Sequence, residues 1–134
     1  MRPIKFRAWD KIQKQMCYDV SVYSEIETES WWSADVRGES GNKIYSFEYG
    51  ELMQFTGLTD KNGKEIYEGD IVGNDGKCFY RVVFENAAFV CYHTDLTNWD
   101  GRPLRWGLLS RFFEMEDIFH IEVIGNIYEN PELL

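Results

Sequence analysis

Hydrophobic and polar residues alternate at the start of the chain: Ile4, Phe6 and Ala8 fall on one face of an extended segment, and Lys5, Arg7 and Trp9 on the other. A period of two marks a half-buried strand. Asp10-Lys11 offers a turn and Met16 to Val22 returns as a second strand, so the pattern predicts an N-terminal hairpin. Alternation then stops. The 24–43 segment passes through Ser24-Glu25-Ile26-Glu27-Thr28-Glu29-Ser30, then Trp31-Trp32, then Gly38-Glu39-Ser40-Gly41, with no sustained period. An irregular insertion is expected there; a sharper reading makes it a partner-binding arm presenting Trp31 and Trp32.

Clear signals resume at Leu52. Leu52-Met53-Gln54-Phe55 reads as a strand and Thr59-Asp60-Lys61-Asn62-Gly63 as a turn, because Asn and Gly tolerate positive φ. Lys64 to Val72 is rich in β-formers but broken at Gly69, the mark of a bulge or a sharp redirection of the backbone. Asn74-Asp75-Gly76 is another turn. Phe79 to Phe84 and Ala88 to His93 form a hairpin around Glu85-Asn86, with Tyr80, Val82 and Phe84 on one face and Phe89, Cys91 and His93 on one face of the next strand. The Asp95 to Pro103 stretch is polar and turn-rich. Leu108, Leu109, Phe112 and Phe113 recur at helical spacing, predicting one short helix over Leu108 to Met115. Ile121 to Tyr128 is a final strand. Short strands, repeated turns and one helix predict a mainly β fold with minor α, as a compact antiparallel sheet or a small SH3-like barrel.

Composition narrows the classes. The 134 residues suit one domain over 1–134, and 44% hydrophobic with 16% aromatic residues is enough to build a core. The net charge of −9 opposes generic binding to nucleic acid, which needs a basic footprint, and leaves only a local basic patch for that role. Cys17, Cys78 and Cys91 are odd in number and lack a CxxC pair, unlike a secreted disulfide framework. No apolar run reaches the ~20 residues of a membrane span, and no signal peptide opens the chain. The expected location is cytoplasmic, with no membrane partner.

Chemistry-bearing patterns are sparse. Asp60, Glu65, Glu68 and Asp70 lie close in sequence, but in an acidic chain such residues usually sit on solvated turns, and no EF-hand loop is present. Cys91 and His93 share a strand face that Cys78 could approach, short of the spacing and number of ligands that zinc requires. There is no GxSxG, GxGxxG or GxxxxGK[ST] motif. No catalytic residue, metal or cofactor is assigned. Arg102, Arg105, Trp106 and Arg111 interleave cations with an aromatic ring, Trp99 nearby, as single-strand binders do; the plainer reading makes the aromatics core and the arginines its rim.

Three stretches carry a family resemblance: Ile4-Lys5-Phe6-Arg7-Ala8-Trp9-Asp10, the block from Met53 to Val72, and Val123-Ile124-Gly125-Asn126-Ile127-Tyr128-Glu129-Asn130-Pro131-Glu132-Leu133. In this order they resemble the YopX family of bacteriophage and prophage proteins. The resemblance implies a phage or prophage origin, a bacterial cytoplasm and a mainly β fold. It implies no activity. Physically, Glu68-Gly69-Asp70-Ile71-Val72 reads as a turn into a strand, with positive φ at Gly69 and backbone N–H bonds to Asp70.

Three functions follow as expectations. The first is a non-enzymatic interaction module for a host or phage protein, with self-association open. The second is nucleic-acid binding through Arg102 to Arg111, or an acidic decoy imitating DNA. The third is a small metal-assisted hydrolase using Asp60, Glu65, Glu68 and Asp70. Arginines clustered on one surface would favour the second, a carboxylate pocket the third, and an exposed apolar surface in an oligomer the first.

Overall fold

The computed structural model describes residues 3–11, 14–18, 20–24, 34–37, 43–46, 51–74, 78–114 and 121–134. Its strands are β1 (Phe6–Asp10), β2 (Gln15–Tyr18), β3 (Ser21–Ser24), β4 (Ala34–Arg37), β5 (Lys43–Ser46), β6 (Glu51–Thr59), β7 (Glu65–Tyr67), β8 (Asp70–Asn74), β9 (Cys78–Glu85), β10 (Ala88–Thr97), β11 (Pro103–Leu108) and β12 (Ile121–Asn126). One α-helix, α1 (Arg111–Glu114), and a 3-10 turn at Pro131–Leu133 complete the described elements. The protein is mainly β with antiparallel sheets and minor α, as the sequence pattern predicts. Backbone contacts divide it into two compact units, Met1–Phe55 and Thr56–Leu134.

In the first unit the expected N-terminal hairpin is present: β1 lies antiparallel to β2, with Arg7 opposite Tyr18 and Asp10 opposite Gln15. On its other side β1 pairs with the start of β6, Phe6 opposite Gln54 and Trp9 opposite Glu51. Being central, β1 is covered on both faces around Arg7 and Ala8, which are 2% and 0% exposed. The simple inside–outside alternation therefore fails at Arg7, and Ile4, ahead of the strand, is exposed. Ala8 and Val20 anchor the small core here, with Phe6, Cys17 and Leu52 packed against them.

Two further expectations for this unit are corrected. The Met16 to Val22 strand is split into β2 and β3, which pair with different partners. The 24–43 segment is not irregular throughout, because β3, β4 and β5 form a three-stranded antiparallel sheet. Each of these strands has four residues. That leaves two per face, too few for a period to show. Trp31 and Trp32 lie outside the described residues.

The second unit holds a five-stranded antiparallel sheet in the order β11-β10-β9-β8-β12. The β9–β10 hairpin turns at Asn86-Ala87, where φ is +49° and +62°, and Glu85 pairs with Ala88. Positive φ at both central residues is the requirement of a type I′ turn, whose twist suits adjoining strands. One face of the hairpin carries the pairs Tyr80–His93, Val82–Cys91 and Phe84–Phe89. Tyr80, Val82 and Cys91 join Ile66, Val72, Leu109 and Ile121 in the core, with Leu58, Phe89, Trp106, Phe113 and Val123 around them. Each such fully buried aliphatic side chain stabilises the fold by about 1.5–3 kcal/mol.

The region after β10 differs from the sequence reading. β10 runs on to Thr97, and β11 occupies the stretch leading into the predicted helix. The helix is only Arg111–Glu114 within the described residues. Leu108 ends a strand, and Leu109 donates its N–H to Phe89 O at 3.0 Å while its side chain is buried. The helical spacing of Leu108 and Leu109 with Phe112 and Phe113 thus spans a strand end, a turn and one helical turn. No helix among the described residues is long and apolar enough to cross a membrane.

Candidate functional site: a basic groove on the second sheet

β9, β10 and β11 lie side by side, and on the face opposite Tyr80 and Val82 they carry Arg81, Tyr92 and Arg105 in one row: Tyr92 pairs with Arg81 on one side and Arg105 on the other. Two strand spacings separate the arginines, roughly 10 Å. With Val83, Glu85, Asn98, Arg102 and Pro103 they line a groove of about 450 Å³. Three arginines thus line one groove in a chain whose net charge is −9.

Their partners differ. Glu85 accepts the Tyr92 hydroxyl at 2.7 and 2.8 Å on its two oxygens, and Arg105 Nε at 3.2 Å. The hydrogen bond to Glu85 raises the Tyr92 pKa, aided by burial and by the carboxylate's charge. Arg102 pairs with Asp100 at 3.4 Å, with its side chain 83% exposed. The Arg81 guanidinium has no hydrogen-bond or ion-pair partner among the described residues. Among the described residues Arg81 is the one groove arginine outside an ion pair, although Glu85 lines the same groove.

The β10–β11 turn closes one end. Asn98 N–H donates to Arg102 O at 2.7 Å, Gly101 N–H to Asn98 O at 2.9 Å, and Arg102 N–H to Asp100 Oδ1 at 3.2 Å. A β-turn followed by a left-handed residue, Gly101 at φ +83°, is a regular three-residue hairpin loop. It holds Trp99 at 99% exposure between two groove-lining residues.

Of the residues singled out in the sequence, Arg102 and Arg105 come together here. Trp106 and Arg111 do not join them. Cys91 pairs with Gly107 and Tyr92 with Arg105, so Trp106 is the extra residue of a β-bulge. Its ring packs toward the core, edge-on to Tyr80 at 6.0 Å, and the Arg111 guanidinium lies 5.8 Å from its centre. Arg81, Tyr92 and Glu85 were not marked by sequence. Their signal was the strand pairing, which a linear pattern does not contain.

The family-like turns are built as fold. Gly69 has φ +87°, donates to Val82 O at 2.9 Å and accepts Ile127 N–H at 3.0 Å. Asp70 is 1% exposed and accepts Tyr67 N–H at 2.8 Å. Asp60 accepts N–H groups of Asn62 and Lys64 on Oδ1 and of Val123 on Oδ2. Burial by itself raises the Asp60 pKa, but the amides of Val123, Lys64 and Asn62, with the Lys64 charge, hold it below the ordinary range. Glu65 accepts the Tyr67 hydroxyl at 2.9 Å. No three His, Cys, Asp or Glu side chains among the described residues converge for a metal ion. The cysteines are free thiols; burial pushes Cys91 up to about 12, and burial with the Asp10 charge raises Cys17.

The model of the family described as "YopX protein" matches residues 5–134. No curated protein matches the chain. Among solved structures, protein EF1440 from Enterococcus faecalis is similar, at 26% identity and a TM-score of 0.66, over 100% of this chain and 99% of that one.

Proposed function

This chain belongs to the YopX family, and from that premise we propose that it works by binding, as a non-enzymatic interaction module whose contact surface is the β9–β10–β11 groove with the Trp99 turn. The observation that carries the reading is Arg81, a cation outside any ion pair among the described residues, in the same groove as Arg102 and Arg105. The partner this surface suits is anionic. Trp, Tyr and Arg are the residues that dominate binding energy at interfaces; Tyr92 and three arginines line this groove, and Trp99 stands exposed on the turn beside it.

We favour this over the hydrolase reading because Asp60 gives both oxygens to backbone amides, Asp70 gives Oδ2 to the Tyr67 amide, and Glu65 accepts the Tyr67 hydroxyl. We read the setting as that of a phage or prophage accessory protein in the bacterial cytoplasm, gripping a host or phage component. The test is to compare wild type with Arg81→Glu and Arg105→Glu in affinity capture from lysogenic cells. Loss of a partner at unchanged melting temperature supports the groove; identical capture by all three proteins refutes it.

A further inference from the structure

Resting on the reading of the groove as an anion-binding surface, we propose that its occupant is a short run of single-stranded nucleic acid, with phosphates on Arg81, Arg102 and Arg105 and a base stacked on Trp99. Every cation lining the groove is an arginine. Guanidinium forks match phosphate oxygens two at a time, where a lysine offers only a point charge. The existing pairs of Arg102 with Asp100 and of Arg105 with Glu85 have half-exposed or exposed guanidinium side chains. Such solvated pairs are weak, so a phosphate can replace either carboxylate.

Trp99 separates nucleic acid from an acidic peptide. Trp99 is 99% exposed, and backbone bonds among Asn98, Gly101 and Arg102 hold the turn that carries it beside the groove. An exposed ring next to a cationic track is the stacking platform of single-strand binders, tolerant of sequence because every base has a π-face. Carboxylate side chains offer no such face. A duplex keeps its bases stacked on each other and brings a denser phosphate array to a chain of net charge −9. A groove of about 450 Å³ has room for about one or two nucleotide units. The binding is therefore short-tract, modest and salt-sensitive.

The experiment titrates full-length protein into fluorescein-labelled dT10, the corresponding duplex and fluorescein-labelled decaglutamate at low salt. Wild type should bind dT10 more tightly than the duplex or decaglutamate. The logarithm of affinity should fall with log salt at a slope of about −2, as for roughly three neutralised phosphates. Arg81→Gln and Trp99→Ala, each checked by circular dichroism, should weaken dT10 binding roughly tenfold. Arg102→Gln supplies a second cation test at a highly exposed side chain. Binding of dT10 that is indifferent to Trp99→Ala and Arg81→Gln overturns the proposal. Arg81-dependent binding of decaglutamate without dT10 binding also overturns it, while leaving the anionic-partner reading intact. Binding of neither probe removes both.

Discussion

Asp60 Oδ2 accepts the amide of Val123 at 2.9 Å, across 63 residues of chain. This bond ties the turn after β6 to β12, next to a second tie in which Lys61 N–H donates to Ile121 O at 3.0 Å. The central and closing family-like stretches are thus one structural unit: the β8–β12 ladder and the Ile127 N–H to Gly69 O bond join them, and Asp60 adds the side-chain tie.

Asp60→Ala should destabilise the fold by about 2–3 kcal/mol, since it strands amides that a charged acceptor now satisfies. The folded pKa lies below the unfolded one. The carboxylate's contribution is therefore complete above about pH 4 and is lost as pH falls through the folded value. Urea melts between pH 7 and pH 2 check this: wild type should lose more stability on acidification than Asp60→Ala.

Gly69→Ala should cost on the order of 1–2 kcal/mol and Gly69→Val more, because φ there is +87°. Asp70→Ala should cost a comparable 1–3 kcal/mol by leaving the buried Tyr67 N–H unpaired. Thermal melting separates these effects, and an unchanged Gly69→Val would contradict the turn.

A substitution in the β9–β10 turn should do the opposite. Ala87 has φ +62°, which favours glycine. Ala87→Gly should raise stability by about 0.5–1 kcal/mol, the relief of strain exceeding the added chain entropy. A melting temperature that falls would show the strain to be absent.

Thiol titration should order the cysteines. Cys78 is exposed, Cys17 intermediate and Cys91 fully buried. A disulfide reagent at pH 8 should modify Cys78 first and reach Cys91 only on unfolding. Rapid modification of Cys91 in the native state would show that its strand opens locally.

Much of the second unit was legible in the sequence because its strands are long and its turns chemically explicit. The Asn86 bend and the break at Gly69 can be read from residue type alone, whereas Asp60 and Asp70, expected on solvated turns, are buried with backbone amides as their partners. β3, β4 and β5 were not legible, their four residues apiece being too short to state a period. β11 was hidden because its bulge interrupts alternation at Trp106. The groove was half legible. Arg102 and Arg105 stood out as a cluster, but Arg81 lies more than twenty positions upstream and joins them only through strand register.

The bulge at Trp106 also bears on how the molecule behaves in a crowd. β11 is an edge of its sheet, and an unbroken edge is an open invitation for another chain to add a strand. This one begins with Pro103, which has no N–H to offer, and is thrown out of register at Trp106. The same irregularity that turns an indole inward leaves the border poorly ruled for continuation. The arginines beside that border therefore stand next to an edge that disfavours strand addition from another copy.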